Sequence, residues 1–448
     1  MSIEERKAKI LINKAGGTAG ADAKNYRVAL PSAWINELGI DEESREVVLQ
    51  FDGESITIRR AVSGGYSDFV DTARRHGHEL LVLHFYDGNA LCTKICADRT
   101  TRTLAIENHT ADVLRTAFGV DQNPTWNDLQ EFLESRCVPR QRDGLRYYLA
   151  EFGLEKYEPL EIIRKTEGRM AEDHGGMSVI IKRTTGNRIA GTSSKGNQEK
   201  WQEDGRWFKL DMFGYEGLAE TVTSALLSRT NIIELGFQYV TYRMERLEVH
   251  GRTRNGCSSA DFLQPGESIL TLADLLRKGV GSDWQSQVKR LPNMQAKIGW
   301  LVEQTERLTG LDRFGAYLTA LFEADMLFGN EDRHLNNIAV LRRGEVFDYC
   351  PMFDFGAGLL SNVRDYPMDV EPKVLLSQLR AQPMNAQFVR QVHAAQAGCG
   401  TQLRCDFSRE DVVHALAEPL TFYAERDRPY ISDRVMCCVQ TQYRKLKK

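Results

Sequence analysis

Three oxygen-bearing side chains have the spacing of a phosphoryl-transfer site. Asp332 and Asn337 lie in the run GNEDRHLNNI, which begins at Gly329, and Asp354 opens the tripeptide Asp-Phe-Gly at 354–356. Phosphoryl transfer needs one carboxylate to orient the attacking hydroxyl, together with oxygen ligands for Mg²⁺. We therefore predict that Asp332 orients and deprotonates a hydroxyl, and that Asn337 and Asp354 bind Mg²⁺.

A β-hairpin is predicted between Asn337 and Asp354. The apolar runs 338–341 and 346–349 flank the turn Arg-Arg-Gly at 342–344, which is a typical hairpin signal. Such a hairpin carries the chain out and back, so that Asp354 returns beside Asn337. In the same loop we expect His334 to form a hydrogen bond, with a role as general base as the alternative. Arg333 is expected to pair either with a phosphate or with a nearby carboxylate.

Nucleotide phosphates also require a positioned lysine upstream. The aromatic and apolar run 206–210 follows the turn Glu-Asp-Gly at 203–205 and predicts a strand that carries Lys209 on one face. The segment 220–228 has the apolar spacing of a helix packed on a sheet. Its first residue, Glu220, is the predicted partner of Lys209, and Glu216, one turn earlier, is the alternative partner.

A loop rich in glycine, serine and threonine precedes that strand at 190–197. Backbone N–H groups and hydroxyls in such a loop can bind phosphate oxygens. The P-loop pattern fails, however, because Thr192 stands where a lysine is required. The loop residues predicted to bind nucleotide are Gly191, Ser193, Ser194 and Lys195. A plain flexible turn is the alternative interpretation.

The order Asp-x-His-x-x-Asn, followed by Asp-Phe-Gly, resembles two families. These are the bacterial HipA-like serine/threonine kinases and the phosphatidylinositol kinases. The runs GTSSKGNQEKW, WFKLD and GYEGLAE are similar to the corresponding stretch of HipA-like kinases, and this resemblance covers roughly residues 161–448.

The HipA-like resemblance implies an α+β, two-lobed, protein-kinase-like fold with a mostly helical large lobe. It implies ATP and Mg²⁺ as cofactors and a serine or threonine hydroxyl of a protein as substrate. It further implies that Ser193 or Ser194 is an autophosphorylation site, and that the protein is a toxin-like growth inhibitor with an antitoxin-like partner.

The first 62 residues have a different pattern. A short helix after Pro31 ends at Gly39, and two strand-like runs follow around the turn at 52–54. This pattern resembles the AbrB/MazE swapped-hairpin domain, and so small a unit implies a homodimer because it cannot bury its own core. The resemblance also implies binding to operator DNA, which the excess of lysine and arginine over acidic residues up to Arg27 favours. Dimerisation alone is the alternative.

Composition places the chain among ordinary soluble proteins. It has 448 residues, of which 42% are hydrophobic and 27% charged, and two or three domains are expected. A net charge of −4 argues against a protein that binds nucleic acid along its whole length. The charged start MSIEERKAKI and the lack of a long apolar run predict a cytoplasmic protein without a membrane segment. Nine scattered cysteines without a C-x-x-C pair argue against disulfides and zinc.

We predict three parts. They are an AbrB/MazE-like domain at 1–62, an accessory α+β segment at 63–160 and a kinase-like domain at 161–448, with a small lobe over about 161–250 and a large lobe over about 251–448. Two other functions stay open: a phosphatidylinositol-type or small-molecule kinase, and a DNA-binding regulator whose kinase-like domain senses nucleotide. The lack of a basic amphipathic helix disfavours the first. The intact set of lysine, glutamate, aspartates and asparagine disfavours the second, since a sensor needs no base.

Overall fold

The computed structural model describes residues 6–14, 24–37, 40, 47–51, 56–60, 65–87, 90–135, 137, 140, 145–151, 153–165, 179–182, 189–192, 198, 200–249 and 251–446. These residues form helices and antiparallel strand pairs, which confirms the prediction that the chain contains both helices and sheets. The chain divides into two compact units, Met1–Phe85 with Thr93–His109, and Tyr86–Cys92 with Thr110–Lys448. The two-lobed arrangement and the division into parts at 62 and 160 stay predictions.

The first unit begins with two short ladders. Strand β1 (Leu11–Lys14) pairs with β2 (Lys24–Arg27), helix α1 (Ser32–Glu37) follows, and β3 (Val47–Phe51) pairs with β4 (Ile56–Arg60). Large apolar side chains in this stretch are 36–67% exposed: Ile10, Leu11, Ile12, Tyr26, Val28, Leu30, Val47, Leu49 and Ile56. The likeness to an AbrB-type domain stays a prediction.

The rest of the first unit is a helix followed by a sheet. Helix α2 (Tyr66–Arg75) precedes β5 (Leu80–Asp87), β6 (Ala90–Asp98) and β7 (Thr103–Asn108), and β6 pairs with β7. The division into units falls within β5, after Phe85, and within β6, before Thr93. The second unit then opens with three short helices, α3 (Trp126–Ser135), α4 (Leu145–Glu151) and α5 (Pro159–Lys165), and the paired strands β8 (Val179–Lys182) and β9 (Ile189–Thr192).

A four-stranded antiparallel sheet follows in the second unit. It contains β10 (Lys200–Glu203), β11 (Arg206–Leu210), β12 (Tyr242–Val249) and β13 (Arg252–Ala260), in the spatial order β10-β11-β13-β12. Helix α6 (Glu216–Leu227) connects β11 to the later strands and packs on β12 and β13. The predicted strand at 206–210 is therefore confirmed, and the predicted helix is present but begins one turn earlier, at Glu216.

A three-stranded sheet carries the predicted hairpin. Strand β14 (Glu267–Thr271) pairs with β15 (Ala339–Arg343), which pairs with β16 (Val346–Tyr349). The hairpin predicted from the apolar runs around the Arg-Arg-Gly turn is therefore confirmed. Its left-handed residue is Gly344, with φ of 61°.

The remaining part of the second unit is mainly helical. Three of its helices begin after a residue whose side chain accepts a backbone N–H of the first turn, namely Thr271, Asn293 and Ser408. The helices are α7 (Leu272–Gly279), α8 (Trp284–Lys289), α9 (Met294–Thr309), α10 (Phe314–Phe328), α11 (Pro372–Gln378), α12 (Phe388–Cys399), α13 (Arg409–Ala417) and α14 (Arg428–Leu446), with a 3₁₀ turn at Pro419–Phe422.

Helix α10 lies at the centre of the hydrophobic core. Nearly all of its residues are buried, and it packs against α9, α12 and α14. Gly329 ends it with φ of 62°, a left-handed conformation that favours glycine. The chain then enters the loop that carries Asp332 and Asn337, so the most buried helix of the described residues anchors that loop.

Candidate active site

Lys209 lies at the centre of a buried ion cluster. Its Nζ donates to Glu220 Oε1 at 2.6 Å and to Asp354 Oδ1 at 2.7 Å. Strand β11, which carries the lysine, pairs with β10 and β13, and the side chain of Lys209 is only 10% exposed. The structure thus brings together three residues that sequence analysis assigned separately to phosphate and metal binding.

Glu220 contacts both other parts of the cluster. Its Oε1 accepts from Lys209, and its Oε2 accepts from the backbone N–H of Phe355 at 2.9 Å. Glu220 is 1% exposed. The alternative partner, Glu216, has another role, because its carboxylate accepts the N–H groups of residues 212–214 at 2.6–3.2 Å. It therefore closes the turn before α6 instead of pairing with Lys209.

Burial and the neighbouring charges have opposite effects on the pKa values of Asp354 and Lys209. Desolvation alone would raise the pKa of Asp354, but the Lys209 ammonium holds it well below its usual value. Desolvation raises the pKa of Glu220, an effect that Lys209 opposes and Asp354 reinforces. Burial disfavours the charged lysine, yet the two carboxylates keep the pKa of Lys209 above its ordinary value. One ammonium thus faces two carboxylates.

Asp354 has a backbone conformation that non-glycine residues rarely adopt. Its φ is 65°, in the left-handed region. Polar contacts hold it there, since Lys209 binds one carboxylate oxygen and Asn330 Nδ2 donates to its backbone oxygen at 3.3 Å. The Asp354 carboxylate remains 25% exposed. The strained turn therefore presents one carboxylate to both a buried lysine and solvent.

Arg333 brings the two predicted metal ligands near each other. Its Nη1 donates to the backbone oxygens of Asn337 at 2.8 Å and of Phe353, the residue before Asp354, at 2.6 Å. Its Nε and Nη2 bind the Asp325 carboxylate at 3.0–3.2 Å. We predicted that Arg333 pairs either with a phosphate or with a nearby carboxylate. In the structure it pairs with the carboxylate of Asp325.

Sequence analysis missed Asp325 and Asn330. Asp325 lies on α10, is 1% exposed and binds both Arg333 and Asn330 Nδ2. A signal was present in the sequence, because Glu323 and Asp325 are the only acidic residues in the apolar stretch Phe314–Phe328. An acidic residue on a fully buried helix needs a partner, and the Arg333 guanidinium is that partner.

Asp332 and His334 lie on the open side of the loop. The side chains are 60% and 41% exposed, and His334 Nε2 is 3.8 Å from Asp332 Oδ2. His334 Nδ1 has no hydrogen-bond partner among the described residues, and the contact of Nε2 with Asp332 is too long for a hydrogen bond, so the hydrogen bond predicted for the His334 side chain stays a prediction. Partial desolvation raises the pKa of Asp332, an effect that His334 opposes and Asp354 reinforces.

Asn337 is held by the loop that it ends. Its Nδ2 donates to the backbone oxygen of Asp332 at 2.9 Å, and its N–H donates to His334 O at 2.8 Å. This orientation turns the amide carbonyl Oδ1 away from the loop backbone. The side-chain oxygen Oδ1 is the predicted Mg²⁺ ligand, on a residue that is 8% exposed.

The donor set fits Mg²⁺ bound together with nucleotide phosphates. Asn337 Oδ1 and the Asp354 carboxylate are hard oxygen donors, and Mg²⁺ in such sites keeps only one or two protein ligands besides phosphate and water. Among the described residues, no group of three or more His, Cys, Asp and Glu side chains is arranged to hold a metal ion by itself. Two side-chain oxygens of this kind fit a metal site that is completed by phosphate and water.

Lys200 is a second cation near the site, and sequence analysis missed it. It lies on β10 directly opposite Lys209, so both side chains are on the same face of the sheet. Its positive charge lowers the pKa of both Asp354 and Asp332. Counting back along the hairpin from Lys209 through the 203–205 turn would have identified it.

The predicted phosphate loop is described only in part. Gly191 and Thr192 form the end of β9, which lies next to β10. Ser193, Ser194 and Lys195 lie outside the described residues. Their predicted contacts with nucleotide, and the modification of either serine, stay predictions.

The solved structures that are similar to this chain include a bacterial kinase and a component of a toxin–antitoxin complex. One is the Helicobacter pylori proinflammatory kinase CtkA, with 12% identity and a TM-score of 0.38, covering 60% of this chain and 98% of that one. The other is HipA from Shewanella oneidensis MR-1, solved in a toxin–antitoxin complex with HipB and operator DNA, with 14% identity and a TM-score of 0.43, covering 81% and 97%. No protein-family model and no curated protein matches the chain.

A membrane segment was not expected from the sequence. Among the described residues, each helix is too short or too polar to cross a membrane.

Proposed function

We propose that the protein is an ATP- and Mg²⁺-dependent kinase that transfers phosphate to serine or threonine hydroxyls of a protein. The observation that carries this proposal is the Lys209 Nζ, which contacts both Glu220 and Asp354. A buried lysine needs one counter-charge, and a second carboxylate on the same ammonium leaves the cluster net negative. Such a cluster suits a site that adds a divalent cation and phosphates during its reaction.

Asp332 is the proposed base. It would accept the proton of the substrate hydroxyl while the hydroxyl oxygen bonds to the γ-phosphorus. The bond from that phosphorus to the β–γ bridging oxygen breaks, and ADP leaves. The exposure of Asp332 permits access by a bulky substrate. Its raised pKa brings it nearer to that of the group from which it takes the proton.

Asn337 and Asp354 are the proposed Mg²⁺ ligands, through their side-chain oxygens. The bound ion would neutralise charge on the β- and γ-phosphates. Lys209 and Lys200 would hold phosphate oxygens from the same face of the sheet, and Glu220 would orient Lys209. Arg333 would not contact the nucleotide; it positions the two ligands through hydrogen bonds to the backbone oxygens of Asn337 and Phe353.

The segment 191–195 is proposed to cover the phosphates, with Gly191, Ser193, Ser194 and Lys195 as contacts. Phosphorylation of Ser193 or Ser194 by the same enzyme would add negative charge beside the nucleotide phosphates and repel them. Mass spectrometry after incubation with Mg²⁺-ATP tests this part. Recovery of the 190–197 peptide without phosphate, from enzyme that phosphorylates other proteins, would exclude it.

We propose that the protein forms a homodimer through residues 1–62. Support comes from the exposed apolar side chains on β1 to β4, which two-stranded ladders cannot cover by themselves. The excess positive charge up to Arg27 is the basis for proposing operator DNA as a further partner. An antitoxin-like protein is the other proposed partner, and the cytoplasm is the proposed location. Sedimentation of Leu49→Lys should show monomers, and binding to promoter DNA should weaken steeply with salt.

The decisive experiment for the kinase is transfer of label from γ-labelled ATP with Mg²⁺. We expect labelled serine and threonine in cell extract or in the protein itself, and a loss of about 10²–10⁴-fold in rate for Asp332→Asn. Asp312→Asn is the matched control, because Asp312 is an exposed aspartate outside the site. Phosphatidylinositol vesicles form a separate arm, and label in lipid alone would favour the lipid-kinase alternative.

Two results would overturn the proposal. An unchanged rate in Asp332→Asn would remove the base. ATP binding without transfer to any protein or lipid, combined with salt-dependent binding to promoter DNA, would favour the nucleotide-sensing regulator instead.

A further inference from the structure

The first turn of α6 lies against the backbone of β13. A Cβ atom at Gly217 would stand 2.8 Å from the carbonyl carbon of Gly256, a distance that real side chains do not tolerate. Because α6 carries Glu220, the position of this turn decides whether Glu220 reaches Lys209. What holds the first turn of α6 therefore also controls the ion cluster.

The Asp211 carboxylate holds this turn. Its Oδ1 accepts the backbone N–H of Gly217 at 2.6 Å, and its Oδ2 accepts the hydroxyl of Tyr423 at 2.6 Å. Asp211 follows directly after β11, which carries Lys209. One carboxylate therefore joins the end of β11, the start of α6 and a residue that lies far later in the chain.

The segment around Tyr423 is itself fixed to the sheet. Asn255 Nδ2 on β13 donates to the backbone oxygen of Phe422 at 3.0 Å, and the Arg246 guanidinium on β12 lies 5.5 Å from the centre of the Phe422 ring. The Tyr423 ring also meets that of Tyr215 edge-on, with centroids 6.4 Å apart. These contacts fix the segment that carries Tyr423, and they place its hydroxyl within hydrogen-bond distance of Asp211.

A second connection runs from α14. Arg434, 1% exposed, donates to the hydroxyl of Tyr215, which in turn donates to the backbone oxygen of Leu359 at 2.9 Å. Tyr215 is the residue before α6, and Leu359 follows Asp354 by five positions. The C-terminal part of the chain therefore contacts both segments that flank the ion cluster.

From this arrangement we propose that the C-terminal segment 419–434 is a clamp on α6, with Tyr423 as the positioning residue. Through Asp211, Tyr423 fixes the first turn of α6 and keeps Glu220 against Lys209. The clamp rests on the proposed kinase function, since it regulates that same site. It gives the C-terminal segment a role in phosphate transfer although none of its residues contacts the ion cluster.

A double-mutant cycle tests the clamp. Tyr423→Phe keeps the ring and removes the hydroxyl, so we expect about a tenfold loss in kcat/KM for ATP, the scale of one hydrogen bond to a charged group. In a Glu220→Gln background the same substitution should change the remaining activity less than about twofold, because the partner it positions is already impaired. Losses that multiply in the double variant would show that Tyr423 does not act through Glu220.

Tyr443→Phe is the matched control. Tyr443 lies on α14, and its hydroxyl donates to Cys405 O at 3.3 Å, away from α6. We expect its activity to equal that of the parent. An equal loss of activity in Tyr443→Phe and Tyr423→Phe would indicate a general effect on folding and would overturn the clamp.

Hydrogen exchange separates the clamp from the kinase proposal, because it needs no catalysis. In Tyr423→Phe the amide of Gly217 should exchange about tenfold faster, whereas the amides of α10 should be unchanged. If the parent transfers no phosphate, the proposed function fails while the exchange result still decides the clamp. Unchanged exchange at Gly217 would overturn it.

Discussion

Two buried ion clusters differ in charge balance: one contains Asp354 itself, and the other contacts the residue before it, Phe353. Arg333 and Asp325 form a closed pair, with one guanidinium and one carboxylate that are both at most 1% exposed. Lys209 pairs with the carboxylates of Glu220 and Asp354, and that of Asp354 is partly exposed to solvent. A balanced pair in which each guanidinium nitrogen donates to a buried acceptor is suited to holding structure. An unbalanced cluster with an open side can accept a further cation, and this difference distinguishes the scaffold from the proposed reaction site.

The largest expected effect concerns the closed pair. Arg333→Met should lower the free energy of unfolding by about 3–5 kcal/mol, because it leaves the Asp325 carboxylate buried without its counter-charge. Denaturant unfolding measures this loss. Arg343→Met is the control: it breaks an ion pair with Glu267 whose arginine is 59% exposed, and should cost at most about 1 kcal/mol. Equal losses in the two variants would contradict the distinction between closed and exposed pairs.

Asp211 extends the comparison to a carboxylate held by neutral donors. Burial raises its pKa to about 7, with Glu216 adding to the rise and Tyr423 and Arg254 opposing it. Since the unfolded pKa is about 3.9, the folded state binds the proton more tightly. Stability should therefore fall as pH rises from about 4 to about 7, by at most about 4 kcal/mol.

Asp211→Asn is the variant that isolates this titration. The amide can still accept from Gly217, and it carries no charge at any pH. Denaturant unfolding at several pH values should show a shallower fall in stability between pH 4 and 7 than in the parent. A slope equal to that of the parent would assign the pH dependence to other groups.

The open cluster should respond to Mg²⁺, whereas the closed pair should not. With Mg²⁺ and a non-hydrolysable ATP analogue at about 100 times the dissociation constant, the parent should gain about 2.7 kcal/mol of stability. Asp354→Asn should lose most of this gain, and Asp312→Asn should keep it. Thermal unfolding measures both, and a full gain in Asp354→Asn would place the ion elsewhere.

The smallest expected effect concerns Lys200. Lys200→Met removes a positive charge near Asp332 and Asp354 and should lower kcat/KM for ATP about tenfold, equal to about 1.4 kcal/mol. Without that charge, the acidic limb of the pH–rate profile should move to higher pH, because Lys200 lowers the pKa of Asp332. A profile that does not move would show that Lys200 acts at a distance too large to matter.

Local patterns predicted the residues of the proposed site but not what supports them. The strand with Lys209, the helix with Glu220 and the hairpin before Asp354 follow from periodicity and turn residues within short windows. The Asp325–Arg333 pair has only a weak local signal, an acidic residue on an apolar helix. The Tyr423–Asp211 contact has none, because its partners lie 212 positions apart and meet only through packing. Whether β1 to β4 form an AbrB-like dimer also depends on contacts outside one chain, which periodicity does not encode.

The carboxylate of Glu220 binds a side chain with one oxygen and a main-chain amide with the other. Because both bonds depend on the same group, weakening either one also frees the second, and partly assembled forms gain little stability. Opening of the ion cluster around Lys209 should then occur in a single step. Spectroscopic probes on Lys209 and on Phe355 would report the same two populations and the same exchange rate.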